Sequence, residues 1–235
     1  MRLPLSISRL LPHACLLCGS ATDATLCPGC TTDLPRLDRP ACPVCAQPLA
    51  HAAPCCADCL KHPPTFAATF AALRYGYPID RLMQRLKFGG GPVSQRLAGV
   101  DFFARLMLAA VPTEGDLLLP VPLANARLRE RGFNQALELA RPLARAVDLP
   151  LDSGTLVRER DAVPQSRLPW HLRRRNVRHT FACRRDLSGL VIVVVDDVMT
   201  SGATLNAVAE VLRAQGAVRV INWVAARAAK QEHPL

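Results

Sequence analysis

The sequence predicts an α/β fold, a parallel sheet with helices on both faces, preceded by a small Cys-rich domain. Three observations carry this. The C-terminal part alternates short apolar runs with helical periodicity. Its clearest run, Leu190–Asp197, ends in two carboxylates and a turn of small and hydroxyl residues. Nine of the ten Cys fall between Cys15 and Cys59, mostly as CxxC pairs.

The elements follow in chain order. A length of 235 residues suits one or two domains, and the composition shift divides them at 1–64 and 65–235. The N-terminal stretch has an apolar run broken by Pro4, Arg9 and Pro12, with no small-x-small cleavage site, so it reads as a short amphipathic segment rather than a secretion signal. Residues 65–111 read as mostly helical. Ile79, Leu82, Met83 and Leu86 share one helix face, Gly89–Pro92 stop that helix, and a second runs from Val93 to Pro112. Asp116–Leu123 is a short buried strand, and Phe133–Val147 a helix kinked at Pro142. Residues 152–181 are polar and give no clear element. Leu190–Asp197 is a buried parallel strand, Leu205–Gln215 a helix stopped by Gly216, and Val218–Ala226 a last strand.

Half of the residues are hydrophobic, enough for a real core, and no apolar run approaches the ~18 residues that span a bilayer. No membrane insertion is expected. The formal charge is +10. Between Arg127 and Arg185 there are fourteen Arg, no Lys and six acids, so eight of the ten net charges sit there. Guanidinium forks suit phosphate oxygens, and the partner implied is polyanionic.

The segment Val191–Thr204, VIVVVDDVMTSGAT, has a defined physical task. An apolar strand delivers Asp196 and Asp197 to a sheet edge. Thr200, Ser201, Gly202, Ala203 and Thr204 then turn into a helix. Small residues admit a ligand close to the backbone, and unpaired N–H groups at a helix start favour an anion. A monophosphate fits that cradle, and the carboxylates can accept hydrogen bonds from ribose hydroxyls. The segment lacks the Lys of a Walker loop and the spacing of GxGxxG. It resembles the phosphoribosyl-diphosphate (PRPP) motif of type I phosphoribosyltransferases, which implies that fold and a PRPP or other ribose-5-phosphate ligand.

Two basic segments precede this motif. In Leu118–Ala136, Arg127, Arg129 and Arg131 crowd a loop before Gly132, Asn134 and Gln135 at a helix entry. In a parallel sheet this loop opens on the same edge, where Arg127 and Arg131 become candidates for pyrophosphate. Val157–Phe181, with Arg158, Arg160 and Gln165, has the composition of a closing loop. In order along the chain, CLLCG, the CxxC elements, YGYP…LKFGG, PVPL…RLRERGFNQ, Q…RRRNV…F and VDDVMTSGAT together resemble the ComF family. That resemblance implies a double zinc ribbon before a phosphoribosyltransferase-like domain. It also implies a role in DNA uptake during natural transformation, with single-stranded DNA and a competence helicase as candidate partners. The departures are Ser201 where the family often has Thr, an extra Cys55 beside Cys56, and Pro142 in the helix after RGFNQ.

With no secretion signal, a reducing, cytoplasmic compartment is expected, where Cys clusters bind metal more often than they form disulfides. Cys15 and Cys18 pair with Cys27 and Cys30, and Cys42 and Cys45 with Cys56 and Cys59, giving two S₄ sites suited to structural Zn²⁺. An interleaved pairing and Cys55 as a ligand stay open. For the phosphate loop, the resemblance implies PRPP with Mg²⁺ and phosphoribosyl transfer, Asp196 and Asp197 holding the ribose hydroxyls and Thr200–Thr204 the 5-phosphate. No residue presents itself as a base for the acceptor, and no oligomeric state is readable. Two other readings stand beside the transferase: a DNA- or helicase-binding module, and a PRPP sensor without turnover.

Overall fold

The computed structural model describes residues 13–37, 40–88, 93–159 and 180–229. The N-terminal segment before His13, the Gly89–Pro92 stop, and Arg160, Gln165 and most of the closing-loop segment lie outside the described residues.

The Cys-rich part is one small unit built twice. A two-stranded ribbon, β1 (His13–Ala14) with β2 (Ala21–Thr22), frames the first knuckle, and α1 (Pro28–Thr32) follows. The second copy ends in α2 (Ala57–Lys61). In both, the first Cys of the second CxxC is the N-cap of a five-residue helix, Cys27 for α1 and Cys56 for α2. Each knuckle closes with the same backbone bonds. Gly19 N–H donates to Cys15 O at 2.9 Å, and Ala46 N–H to Cys42 O at 2.8 Å. Cys15 N–H donates to Ser20 O, and Cys42 N–H to Gln47 O, both at 2.8 Å. Gly19 has φ +78 and Ala46 φ +56, so the second copy carries a Cβ where the turn prefers none.

The main sheet holds β3 (Ala68–Tyr75), β4 (Leu117–Pro120), β7 (Val191–Met199) and β8 (Arg219–Ala228) in the order β3-β8-β7-β4, all parallel. Side chains alternate across it. Leu117, Leu119, Ile192, Val194, Val220 and Val224 face one core, with α7 (Ala203–Ala214) and the second Cys cluster. Leu118, Val193, Val195, Ile221 and Trp223 face the other. That core is completed by α3 (Ile79–Phe88), α4 (Val93–Leu108) and α6 (Gln135–Val147), with Cys15, Leu26 and Leu34 of the first unit. Both sheet edges are covered. Leu37 N–H donates to Ala72 O and Arg74 N–H to Pro35 O along β3, and Asp152 N–H donates to Leu118 O along β4. These bonds satisfy some of the edge groups that would otherwise stay unpaired.

Three elements differ from the sequence reading. Ala68–Tyr75 is a strand, not helix. Its Ala and Leu favour helix alone, but seven register pairs with β8 and burial on both faces override that preference. Asn125–Arg131, expected as loop, forms a short helix α5, ended by Gly132 at φ +76. The stretch from 152, which gave no clear element, carries an antiparallel ribbon, β5 (Leu156–Arg158) with β6 (Phe181–Cys183). The helix runs through Pro142 from Gln135 to Val147.

Candidate functional site

Parallel strands place their C-terminal ends on one edge, where ligands of open α/β sheets bind. β7 carries Asp196 and Asp197 to that edge, and Thr200–Gly202 turn the chain into α7. Gly202, the N-cap, sits at φ +76, where a Cβ would lie 2.6 Å from Met199 Cε. Only Gly fits without displacing a buried side chain. Among the described residues, the N–H groups of Thr200, Ser201 and Gly202 donate to no acceptor, and Ala203 N–H reaches Ser201 Oγ at 3.4 Å. Unpaired amides at the start of a twelve-residue helix present donors of the kind an anion takes.

The two carboxylates are electrostatically distinct. Asp196 is held well above the usual carboxylate range, first by burial and then by the charge of Asp197. Burial also works against ionisation of Asp197, but Lys87 outweighs it and holds Asp197 below its ordinary value. Lys87 comes from the last turn of α3 and forms an ion pair with Asp197 Oδ2, which accepts no hydrogen bond of good geometry among the described residues. Asp197 Oδ1 accepts Val198 N–H, and Asp196 Oδ1 accepts Asp197 N–H, both at 2.8 Å.

The β4–α5–α6 connection borders the same pair. Asn134 caps α6 by accepting Ala136 N–H at 3.0 Å, and its Nδ2 donates to Val121 O at 3.0 Å. One side chain thereby starts the helix and ties it to the end of β4. Gln135 is buried. Its Oε1 accepts Arg131 Nη1 at 3.2 Å, and its Nε2 has no partner among the described residues. Burial lowers the Arg131 pKa and the charge of Arg127 adds to this, while Asp197 favours the cation. Arg131 stays protonated near neutral pH. The structure therefore places Arg131 within electrostatic reach of Asp197, with Arg127 and Gln135 beside Arg131. Arg158 lies on the β5–β6 ribbon, with its guanidinium 5.5 Å from the Phe181 ring centroid.

Residues that the sequence reading did not single out complete the site. Lys87 was visible only within LKFGG. Arg96 of α4 lies 4.3 Å from the Phe133 ring centroid, packing the RGFNQ element from behind. Arg227 of β8 is 4% exposed and bonds the carbonyls of Met199 and Thr200 beneath the loop. It looks in sequence like the tail of an Ala-rich strand, and no spacing marks it.

Two clusters of four sulfurs form: Cys15, Cys18, Cys27 and Cys30, and Cys42, Cys45, Cys56 and Cys59. Within each, all ligand atoms lie within 4.8 Å of one another. A tetrahedral Zn–S distance of ~2.3 Å requires sulfurs ~3.8 Å apart. Cys18 and Cys27 Sγ are 3.7 Å apart, and Cys45 and Cys56 Sγ 3.6 Å. Cys27 N–H donates to Cys15 Sγ and Cys56 N–H to Cys42 Sγ, at 3.4 and 3.3 Å. Burial opposes ionisation of Cys15, but the N–H groups around it pull its pKa down to about 6. Cys30 is pushed up to about 12, first by Cys27 beside it. Four thiols that cannot all ionise alone can do so around a dication, so the donor set fits structural zinc. Cys55 stays outside both clusters.

Residues 6–60 match the double zinc ribbon domain, and residues 134–235 match the phosphoribosyl transferase domain. The chain is 32% identical to DNA utilization protein YhgH of Escherichia coli (strain K12), over 96% of this chain and 94% of that relative. It is 31% identical to competence protein F of Haemophilus influenzae, covering 86% and 90%. It is 28% identical to competence protein ComFC of Bacillus subtilis, covering 86% and 89%. No helix among the described residues is long and apolar enough to cross a membrane. With a double zinc ribbon, a phosphoribosyl transferase domain and relatives matched over nearly their whole length, the chain belongs to the ComF family.

Proposed function

We propose that this protein binds PRPP at the edge formed by Asp196, Asp197 and Thr200–Thr204, and transfers its phosphoribosyl group to an acceptor. The observation that carries this is the unpaired amide cradle of Thr200, Ser201 and Gly202 next to the paired carboxylates. The 5-phosphate lies on those amides with the hydroxyls of Thr200, Ser201 and Thr204. Asp196 and Asp197 accept from the ribose hydroxyls. Arg131 and Arg127 face the pyrophosphate, and Gln135 Nε2 supplies a further donor. Arg158 and Gln165 are further candidates for holding the substrate, on their side-chain chemistry alone.

Asp197 Oδ2, buried and paired with the Lys87 ammonium, fits a site that expects a cation. Asp196 and Asp197 would hold Mg²⁺ through the bound sugar, and the ion would neutralise the departing pyrophosphate. The protein's own contribution is positioning and charge stabilisation. Residues 1–64 serve as the zinc-bearing unit and 65–235 as the transferase unit, in a cytoplasmic protein.

The names of the relatives, DNA utilization and competence proteins, favour a role of this activity in handling imported DNA. The Arg-rich surface then faces single-stranded DNA or a competence helicase. Calorimetry with PRPP and Mg²⁺ tests the ligand: wild type binds, and Asp197→Asn binds at least about tenfold more weakly, the cost of one charged hydrogen bond. Absence of wild-type binding overturns the assignment. Pyrophosphate release across bases, amines and nucleotides then separates a transferase from a sensor. Oligonucleotide binding that falls steeply with salt supports the DNA role, and flat or absent binding contradicts it.

A further inference from the structure

Arg227 occupies an unusual position for a charged residue. It is 4% exposed, and no carboxylate pairs with it among the described residues. Its bonds go instead to carbonyls from three parts of the chain. Nε donates to Cys45 O at 2.7 Å, inside the second Cys cluster. Nη1 donates to Met199 O at 3.1 Å, and to Thr200 O and Ala228 O. Burying a guanidinium is costly unless its donors are satisfied and its charge is offset. Four thiolates around Zn²⁺ carry a net charge of about −2, and Cys45 of that centre lies within electrostatic reach of Arg227.

The carbonyls it holds decide where the loop amides point. A trans peptide is planar, with C=O and the following N–H in opposite directions. With Met199 O and Thr200 O turned down onto Arg227, the N–H groups of Thr200 and Ser201 turn up, away from it, and these are two of the unpaired donors of the cradle. The Cys45–Ala46 peptide is held in the same way from both sides. Arg227 takes its carbonyl, and its N–H closes the knuckle onto Cys42 O at 2.8 Å. Thr65 N–H, bonded to Asn206 Oδ1 of α7 at 2.7 Å, adds a second tie between the linker and the helix behind the loop.

We propose that Arg227 is a positioning residue that couples the second zinc centre to the phosphate loop, so that metal in that centre presets the amides that receive the anion. This rests on the ligand reading above. The coupling is reciprocal, as any linkage between two binding sites must be. Anion bound at the loop retards zinc loss from the second centre and leaves the first, on the opposite face of the sheet, unaffected.

The experiment uses zinc-loaded full-length protein and ribose 5-phosphate. Arg227→Lys and Arg227→Met are compared with wild type by calorimetry, with zinc content and melting temperature measured alongside. Variants that keep both zincs and fold lose roughly tenfold or more in affinity, the scale of losing oriented hydrogen bonds to a charged group. Unchanged affinity overturns the coupling. A wild-type measurement needs no variant to fold: chelator-driven zinc release, followed with and without ribose 5-phosphate. The proposal expects one of the two zinc equivalents to be protected. Protection of neither or of both equally overturns it while leaving the ligand reading intact. Failure of wild type to bind ribose 5-phosphate at all overturns both.

Discussion

Substituting Gly202 with Ala tests the phosphate loop at its tightest point. Gly202 sits at φ +76, where an L side chain costs about 1–2 kcal/mol. The new Cβ would also lie 2.6 Å from Met199 Cε and 3.9 Å from Phe66 Cζ, both in buried side chains. Moving Met199 off its packing adds about 1–3 kcal/mol, the usual cost of an extra methyl in a filled core. A total near ~3 kcal/mol lowers the melting temperature by about 6–12 °C in a chain of this size. Gly132→Ala is the internal control. Gly132 has the same φ of +76, but nothing lies within 4 Å of its would-be Cβ, so only the conformational part is lost. The assay is thermal unfolding of both variants, followed by ribose 5-phosphate calorimetry. Gly202→Ala melts lower than Gly132→Ala by the packing difference and loses ligand affinity, which Gly132→Ala keeps. Equal melting shifts, or wild-type affinity in Gly202→Ala, refute the reasoning.

Asn134→Ala removes the α6 cap and the tie to Val121 and costs about 1–2 kcal/mol in a urea titration. Lys87→Met removes the cation that lowers Asp197. A lowered carboxylate contributes stability above its unfolded value of about 3.8 and loses it as pH falls through the folded value. The wild type therefore exceeds the variant in stability near neutrality, and the gap closes on acidification below pH 4, measured by denaturant midpoints across pH. A pH-independent gap contradicts this. Elemental analysis gives two zincs per chain for wild type and Cys55→Ser and about one for Cys56→Ser. Two retained in Cys56→Ser would move the ligand to Cys55.

Much of this was legible before any coordinates. The apolar run into Asp196 and Asp197 and the CxxC spacing are local signals, because strand burial and thiolate geometry are set within a few residues. What escaped was set by distant partners. Ala68–Tyr75 is a strand only because β8 lies beside it. Its helix-forming Ala and Leu argue the other way. Asn125–Arg131 reads as loop because its three Arg carry no apolar face, yet Gly132 supplies the left-handed stop that lets one short helix form. Lys87 and Arg227 gain meaning from contacts 110 and 182 residues away in sequence, with Asp197 and Cys45. No periodicity or motif could report either one. The paired CxxC spacing is repeated along the chain, and the matching caps and knuckle bonds show that the structure repeats with it.

The central claim is that a phosphorylated ribose is received by the amides that follow the two carboxylates. A ¹⁵N-resolved amide titration with ribose 5-phosphate tests it most directly. Saturable shifts are expected at Thr200, Ser201, Gly202, Ala203 and Thr204, with smaller ones at Asp196 and Asp197. Shifts confined to the Arg-rich segments, or none at the loop at saturating ligand, would contradict it.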